Sequence, residues 1–310
     1  MQRALSTVTL LGLLIATAAA FAVTERLKLV KSPITGPRIS KVFSPVCGCA
    51  RGKANISLRL RHADHVTVTV LDGRRDVVST LAFGLRVPRG RSIFHWDGTT
   101  DAGARAPDGA YRVQIHLEGQ HRTILLPNRI ELDTVPPQVE EVTPNRVQFS
   151  PDGDRQADSV SIHYTLSKHA AALVYLDGEQ IIRSHAHALK GAVPFTGMLE
   201  GQVLPPGVVT LSVGAVDPAG NVTPVAERAR VRIELRYIQL ASNRITGVAP
   251  RSRFDIGVST DAQRYAWKLG ARKGVASGPL LRLRAPKKRG RYPLTVAERG
   301  HVDRAVVVVG

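Results

Sequence analysis

Two stretches of the chain open with the same tripeptide, Phe43-Ser44-Pro45 and Phe149-Ser150-Pro151, and then run in step. Ile56, Leu58 and Leu60 follow the first Phe at the offsets where Ile162, Tyr164 and Leu166 follow the second. Each stretch reaches an aliphatic run ending in Asp-Gly, Val66 to Gly73 in one and Leu173 to Gly178 in the other. An aromatic-x-Gly comes next (Trp96-Asp97-Gly98; Phe195-Thr196-Gly197), then a Pro-x-Gly that enters an alternating pattern (Pro107 to Val113; Pro205 to Val213). Spacing that varies between landmarks but not within strands predicts a duplicated β-domain with variable loops.

The strands themselves are legible. Asn55–Leu60, Val66–Leu71, Arg91–Trp96 and Tyr111–Leu117 alternate apolar with polar residues, and Leu71-Asp72-Gly73-Arg74 and Ala106-Pro107-Asp108-Gly109 supply turns between them. The repeat predicts domains at 39–137 and 138–239, joined through Val135-Pro136-Pro137, which cannot continue a ladder. The second is expected to close with Val208–Ala215, the turn Asp217-Pro218-Ala219-Gly220-Asn221 and a strand near Ala229–Leu235. Residues 240–310 lack the Phe-Ser-Pro opening but alternate through Arg253–Ser259, Arg264–Leu269, Leu280–Arg284, Tyr292–Val296 and Ala305–Val309, which predicts a third, smaller sandwich.

Residues 4–23 carry no charge, and as a helix they would span about 30 Å, one bilayer core. Arg3 precedes the run; Arg26, Lys28 and Lys31 follow. This predicts a transmembrane signal anchor over 1–30, a basic extended linker over 31–38, and a single-pass membrane protein with its C-terminal part extracytoplasmic. The run exceeds the roughly 7–15 residues of a cleaved signal, which favours an uncleaved anchor; Ala18-Ala19-Ala20 and Ala20-Phe21-Ala22 are small-x-small sites whose cleavage would give a secreted protein.

Export frames the charge. The net +18 is uneven: residues 39–137 hold 14 basic and 9 acidic side chains, 138–239 hold 9 and 11, and 240–310 hold 15 and 4. Arg251, Arg253, Lys287, Lys288, Arg289 and Arg291 are the partner-binding expectation, toward an envelope protein or an anionic wall polymer. Nucleic acid would need a cytosolic setting, so none is expected as a partner. A solvated, Arg-rich surface is the plain alternative.

The string Phe94-His95-Trp96-Asp97-Gly98-Thr99-Thr100-Asp101-Ala102-Gly103, followed by Pro107-Asp108-Gly109-Ala110-Tyr111-Arg112-Val113, resembles the Ig-like domain of the FlgD/Vpr type. Phe149-Ser150-Pro151-Asp152-Gly153-Asp154 and Asp158 are similar to the start of such modules in bacterial surface proteins. The resemblance covers 39–137 well and 138–239 in part, where Phe195 and Val209 replace Trp and Tyr. It implies tandem Ig-like sandwiches used as spacer, stalk or assembly scaffold; together with the N-terminal apolar run, the expected fold is an all-β chain of such sandwiches behind one anchor helix.

Few residues suggest chemistry. Asp152, Asp154 and Asp158 surround Gly153 and are the candidate ligands for calcium, which takes six to eight oxygens; Arg155 among them favours the competing reading, an Asp-rich turn whose carboxylates bind backbone amides. Calcium is the one cofactor considered. Cys47 and Cys49, the only cysteines, are candidates for a strained, reducible local disulfide or a two-sulfur metal clip. Trp96, Tyr111, Tyr265 and Trp267 are expected in cores, and His185 and His187 in a loop or edge strand. No nucleophile elbow, zinc-protease helix, phosphate loop or dinucleotide fingerprint is present, and no enzyme is expected. The expected function is a membrane-anchored, non-enzymatic surface protein whose Ig-like domains present the basic module. Two alternatives are an accessory subunit of an envelope assembly and a wall-glycan-targeting module or enzyme.

Overall fold

The computed structural model describes residues 11–21, 32–153 and 155–310. Residues 11–21 form a helix. Among the described residues no helix is long and apolar enough to cross a membrane. The remainder of the expected span, 4–10 and 22–23, lies outside the described residues. Among the described residues from 34 onward, every regular element is a β-strand apart from one short 3-10 turn at Val225–Glu227. The chain divides into two compact units, Met1–Thr134 and Val135–Gly310.

The first unit is a sandwich. Ile34–Ile39, Ala54–Leu60 and Gly90–Trp96 make one sheet. Val42–Phe43, Arg122–Leu132, Gly109–Leu117, Asp64–Leu71 and Val77–Val87 make the other. Alternating residues from both fill the core, Ile56, Leu58 and Leu60 facing Val66, Val68, Val113 and Ile115. The domain begins earlier than expected. Ile34–Ile39, of which residues 34–38 are read as linker, pairs with Ala54–Leu60 across an irregularity between Thr35 and Arg38, where Gly36 takes φ +55°. Gly and Pro at that step hide the alternation while Ile34 still reaches the core.

Asp64 is 8% exposed at the start of its strand. Burial raises its pKa, but hydrogen bonds donated by Gly119 N (2.8 Å), Gln120 Nε2 (3.1 Å) and His65 N (2.8 Å) outweigh this, and the group is held below its ordinary value. A depressed carboxylate contributes stability above its unfolded value, about 3.9, and loses it as pH falls through the folded value. Asp64→Asn is therefore expected to lower the unfolding midpoint at neutral pH and to converge with the parent in acid. Curves that stay parallel down to about pH 2, below both values, would remove this role.

In the second unit, Val160–Leu176 is one strand of 17 residues that serves two sheets. Its first part pairs with Val139–Pro144 and Ala188–Phe195; its second part pairs with Gly207–Val216 and Glu179–Arg183, with a register shift between Thr165 and Ala170. Ala170 to Tyr175 are buried without alternation because both faces are covered, Arg228 lying 3.5 Å over the Tyr175 ring. Ala229–Leu235 and Gln148–Phe149 complete the second sheet.

Residues 239–309 form a further pair of sheets with their own core. Gln239–Leu240, Arg253–Ser259 and Leu280–Arg284 face Arg244–Val248, His301–Val309, Gly290–Glu298, Tyr265–Leu269 and Arg272–Ala276. Tyr265 and Trp267, expected in the core, fill it or pack against it.

Candidate functional site

The landmarks of the repeat are one contact made twice. Gly98 has φ +82°, and a Cβ there would lie 3.0 Å from Leu132, 3.2 Å from Pro45 and 3.4 Å from Phe43. Gly197 has φ +67°, and its Cβ would lie 3.1 Å from Leu235, Phe149 and Pro151. The Phe of each Phe-Ser-Pro pairs in parallel with the closing strand, Phe43 with Leu132 and Phe149 with Leu235. It also packs on the aromatic two residues before the glycine: Phe43 to Trp96 at 5.3 Å, Phe149 to Phe195 at 5.8 Å. In the first domain Trp96 Nε1 donates to Thr99 O, Tyr111 stands edge-on to the indole at 4.8 Å, and its hydroxyl donates to Pro107 O. Trp96-x-Gly98 and Gly109-x-Tyr111 thus close over one aromatic cluster.

Residues 45–120 match the FlgD Ig-like domain. Ig-like and fibronectin-like folds occur among similar solved structures. The fibronectin(III)-like modules of Clostridium thermocellum CbhA are 18% identical over 66% of this chain and 93% of theirs, with a TM-score of 0.35. An I-band fragment of titin is 11% identical over 90% of this chain and 99% of its own, at 0.30. No curated protein sequence matches the chain. The FlgD Ig-like match ends well before residue 240, so the basic third sandwich must be read from its own residues.

There the register gathers cations that are far apart in sequence. Ser252 N and Ser252 Oγ both donate to Ala249 O, forming a turn with Arg251 at φ +58°. Arg251 N donates to Pro286 O (3.2 Å) and Ala285 N to Ser252 O (2.8 Å), which extends the Arg253–Arg284 pairing past the strand ends. Tyr292 Oη donates to Lys288 O (2.9 Å) and holds the loop carrying Lys287, Lys288 and Arg289, with Arg291 just beyond it. All six expected basic residues are exposed, and the turn at 249–252 lies against the 285–289 loop. Arg284, opposite Arg253, and Arg272, whose Nη1 donates to Arg284 O (2.7 Å), join them. Composition could not single those two out; the alternation Leu281-Arg282-Leu283-Arg284, which turns Arg284 outward, is the available signal for that residue, and no local pattern marks Arg272.

Of the four acids of residues 240–310, Asp255 stands beside this cluster and the other three lie elsewhere. Asp255 faces Arg282 at 3.7 Å; the pair is well exposed and worth little. Asp303 accepts from Leu240 N (2.7 Å) and Arg304 N (2.7 Å). Asp261 and Glu298 place carboxylate oxygens within 4.8 Å of each other and of Asp152, from the preceding sandwich. These last three acids sit at the end of the sandwich where the chain enters.

One of the three carboxylates expected around a cation belongs to that trio. Asp158 is engaged in its own turn, accepting Gly153 N and Arg155 N at 2.7 Å each, while Asp152 is grouped with Asp261 and Glu298. Asp154 lies outside the described residues. Sequence spacing cannot show partners more than a hundred residues away. Cys47 and Cys49 are bridged, with Cα atoms 5.2 Å apart, so neither offers a thiolate to a metal. His185 and His187 are exposed between strands.

Proposed function

We propose that the chain is a non-enzymatic, membrane-anchored surface protein whose Ig-like domains form a scaffold presenting a basic module to an anionic envelope partner. The observation that carries this reading is charge segregation in the third sandwich. Arg251, Arg253, Arg272, Arg284, Lys287, Lys288, Arg289 and Arg291 occupy one end, with Asp255 beside them opposite Arg282, while Asp261, Glu298 and Asp303 occupy the other. Like charges opposed at Arg253 and Arg284 cost stability, and an external anion offsets that cost. The N-terminal apolar run supports the anchor, and Ig-like modules without any recognised catalytic motif support the non-enzymatic role.

Replacing Lys287, Lys288, Arg289 and Arg291 by Gln is expected to weaken retention of the chain on washed envelopes at least about tenfold at physiological salt. The dependence of retention on salt should flatten as well. Unchanged retention and an unchanged salt profile would sink the reading.

A further inference from the structure

The outer face of the five-stranded sheet in the third sandwich carries ordered rows. Lys268 stands opposite Lys273 on one side and Thr295 on the other, and Thr295 stands opposite Arg304. One row over, Ala266 stands opposite Val275 and Ala297, and Ala297 opposite Val302. On the other side of the cations, Pro293 stands opposite Val306. Val275 is 57% exposed, Val302 50% and Val306 40%. Arg291 and Arg244 add charge at the margin, opposite Val308 and Val306. Alternation turns Glu298 and Asp303 to the opposite face, so among the described residues this face holds no carboxylate.

Solvated sheet faces are ordinarily polar, and directly opposed lysines are destabilising. A row of cations between two aliphatic rows therefore has both its charge and its apolar area uncompensated within the chain. The complement is a row of carboxylates flanked by aliphatic side chains. A polymer offering charge alone would leave the Val275–Val302 row in water. A bilayer would be met by a flat sheet face with no aromatic anchor on it.

We propose that this face docks an acidic protein surface whose carboxylates meet Lys268, Lys273 and Arg304 and whose aliphatic residues cover Val275, Ala266 and Val302. The inference rests on the proposed function in that it takes the third sandwich as the contacting module, and it names the partner as protein rather than glycan or lipid.

The test titrates the full chain, held in zwitterionic nanodiscs, with poly-L-glutamate, a glutamate–leucine copolymer matched in carboxylates, and phosphatidylglycerol vesicles. The copolymer should bind at least about tenfold more tightly than poly-L-glutamate. Val275→Ser with Val302→Ser should abolish that preference without moving the unfolding midpoint, since both positions are exposed. Lys268→Gln with Arg304→Gln should weaken copolymer binding, while Lys287→Gln with Lys288→Gln should lower poly-L-glutamate binding and keep the preference. Equal affinity for the two polymers, tighter binding to the vesicles, or a preference indifferent to the serine variants overturns the inference. If poly-L-glutamate binding still falls with Lys287→Gln and Lys288→Gln in that event, the proposed function stands; binding to no polyanion overturns both.

Discussion

Trp96→Ala should destabilise the first domain by about 3–5 kcal/mol, the range for truncating a large buried aromatic. The indole is 1% exposed, contacts Phe43 and Tyr111 by ring packing, and donates to Thr99 O. Its removal opens a cavity at the point where the Phe-Ser-Pro strand, the aromatic-x-Gly turn and the Gly-x-Tyr strand converge, and it deprives a turn carbonyl of its donor. The repeat supplies its own rescue. Trp96→Phe copies Phe195, which fills the equivalent place against Phe149, and should recover more than half of the loss. Denaturant unfolding of the parent and the two variants decides it. A loss below about 1 kcal/mol for the alanine variant would mean that the cluster is not the keystone of the domain.

The second large effect is expected at Asp217, whose side chain is fully buried beside Lys168 Nζ at 2.8 Å. Its Oδ1 accepts from Gly220 N (2.8 Å) and Asn221 N (2.9 Å), and its Oδ2 accepts from Asn221 Nδ2 (2.9 Å). Lys168 Nζ also donates to Val135 O, and Thr223 Oγ1 donates to Pro137 O, so this carboxylate helps fix the segment entering the second sandwich. Asp217→Ala strands several buried donors and one ammonium, and should cost about 3–5 kcal/mol. Asp217→Asn keeps an acceptor for the turn amides and loses the ion pair, so a smaller cost is expected. Equal losses for the two variants would assign the effect to the ion pair alone.

The β-architecture was readable because alternation and turn residues report directly on a half-buried strand. Arg253–Ser259, Leu280–Arg284 and Ala229–Leu235 fall where the pattern places them. Legibility failed where burial is not one-sided. Ala170 to Tyr175 are covered on both faces, so the join that makes Val160–Leu176 a single strand leaves no alternating trace. The edge strand Val77–Val87 is interrupted by irregularities, including one at Phe83-Gly84, where Gly84 takes φ +54°. Of the candidate site, the basic residues were visible as composition. Their assembly depends on the backbone bonds from Arg251 to Pro286 and from Ala285 to Ser252, which no local pattern encodes. The grouping of Asp152 with Asp261 and Glu298 is of the same kind.

Under the proposed function, contact is made by the basic end of the third sandwich rather than by the first domain, where Phe83 is 85% exposed. Photo-crosslinking in intact cells, with a photoreactive residue at Lys288 or at Phe83 in the full chain, separates the two. Adducts concentrated at position 288 and lost as salt is raised are the predicted result. Adducts at position 83 that persist in high salt, with none at 288, would contradict it.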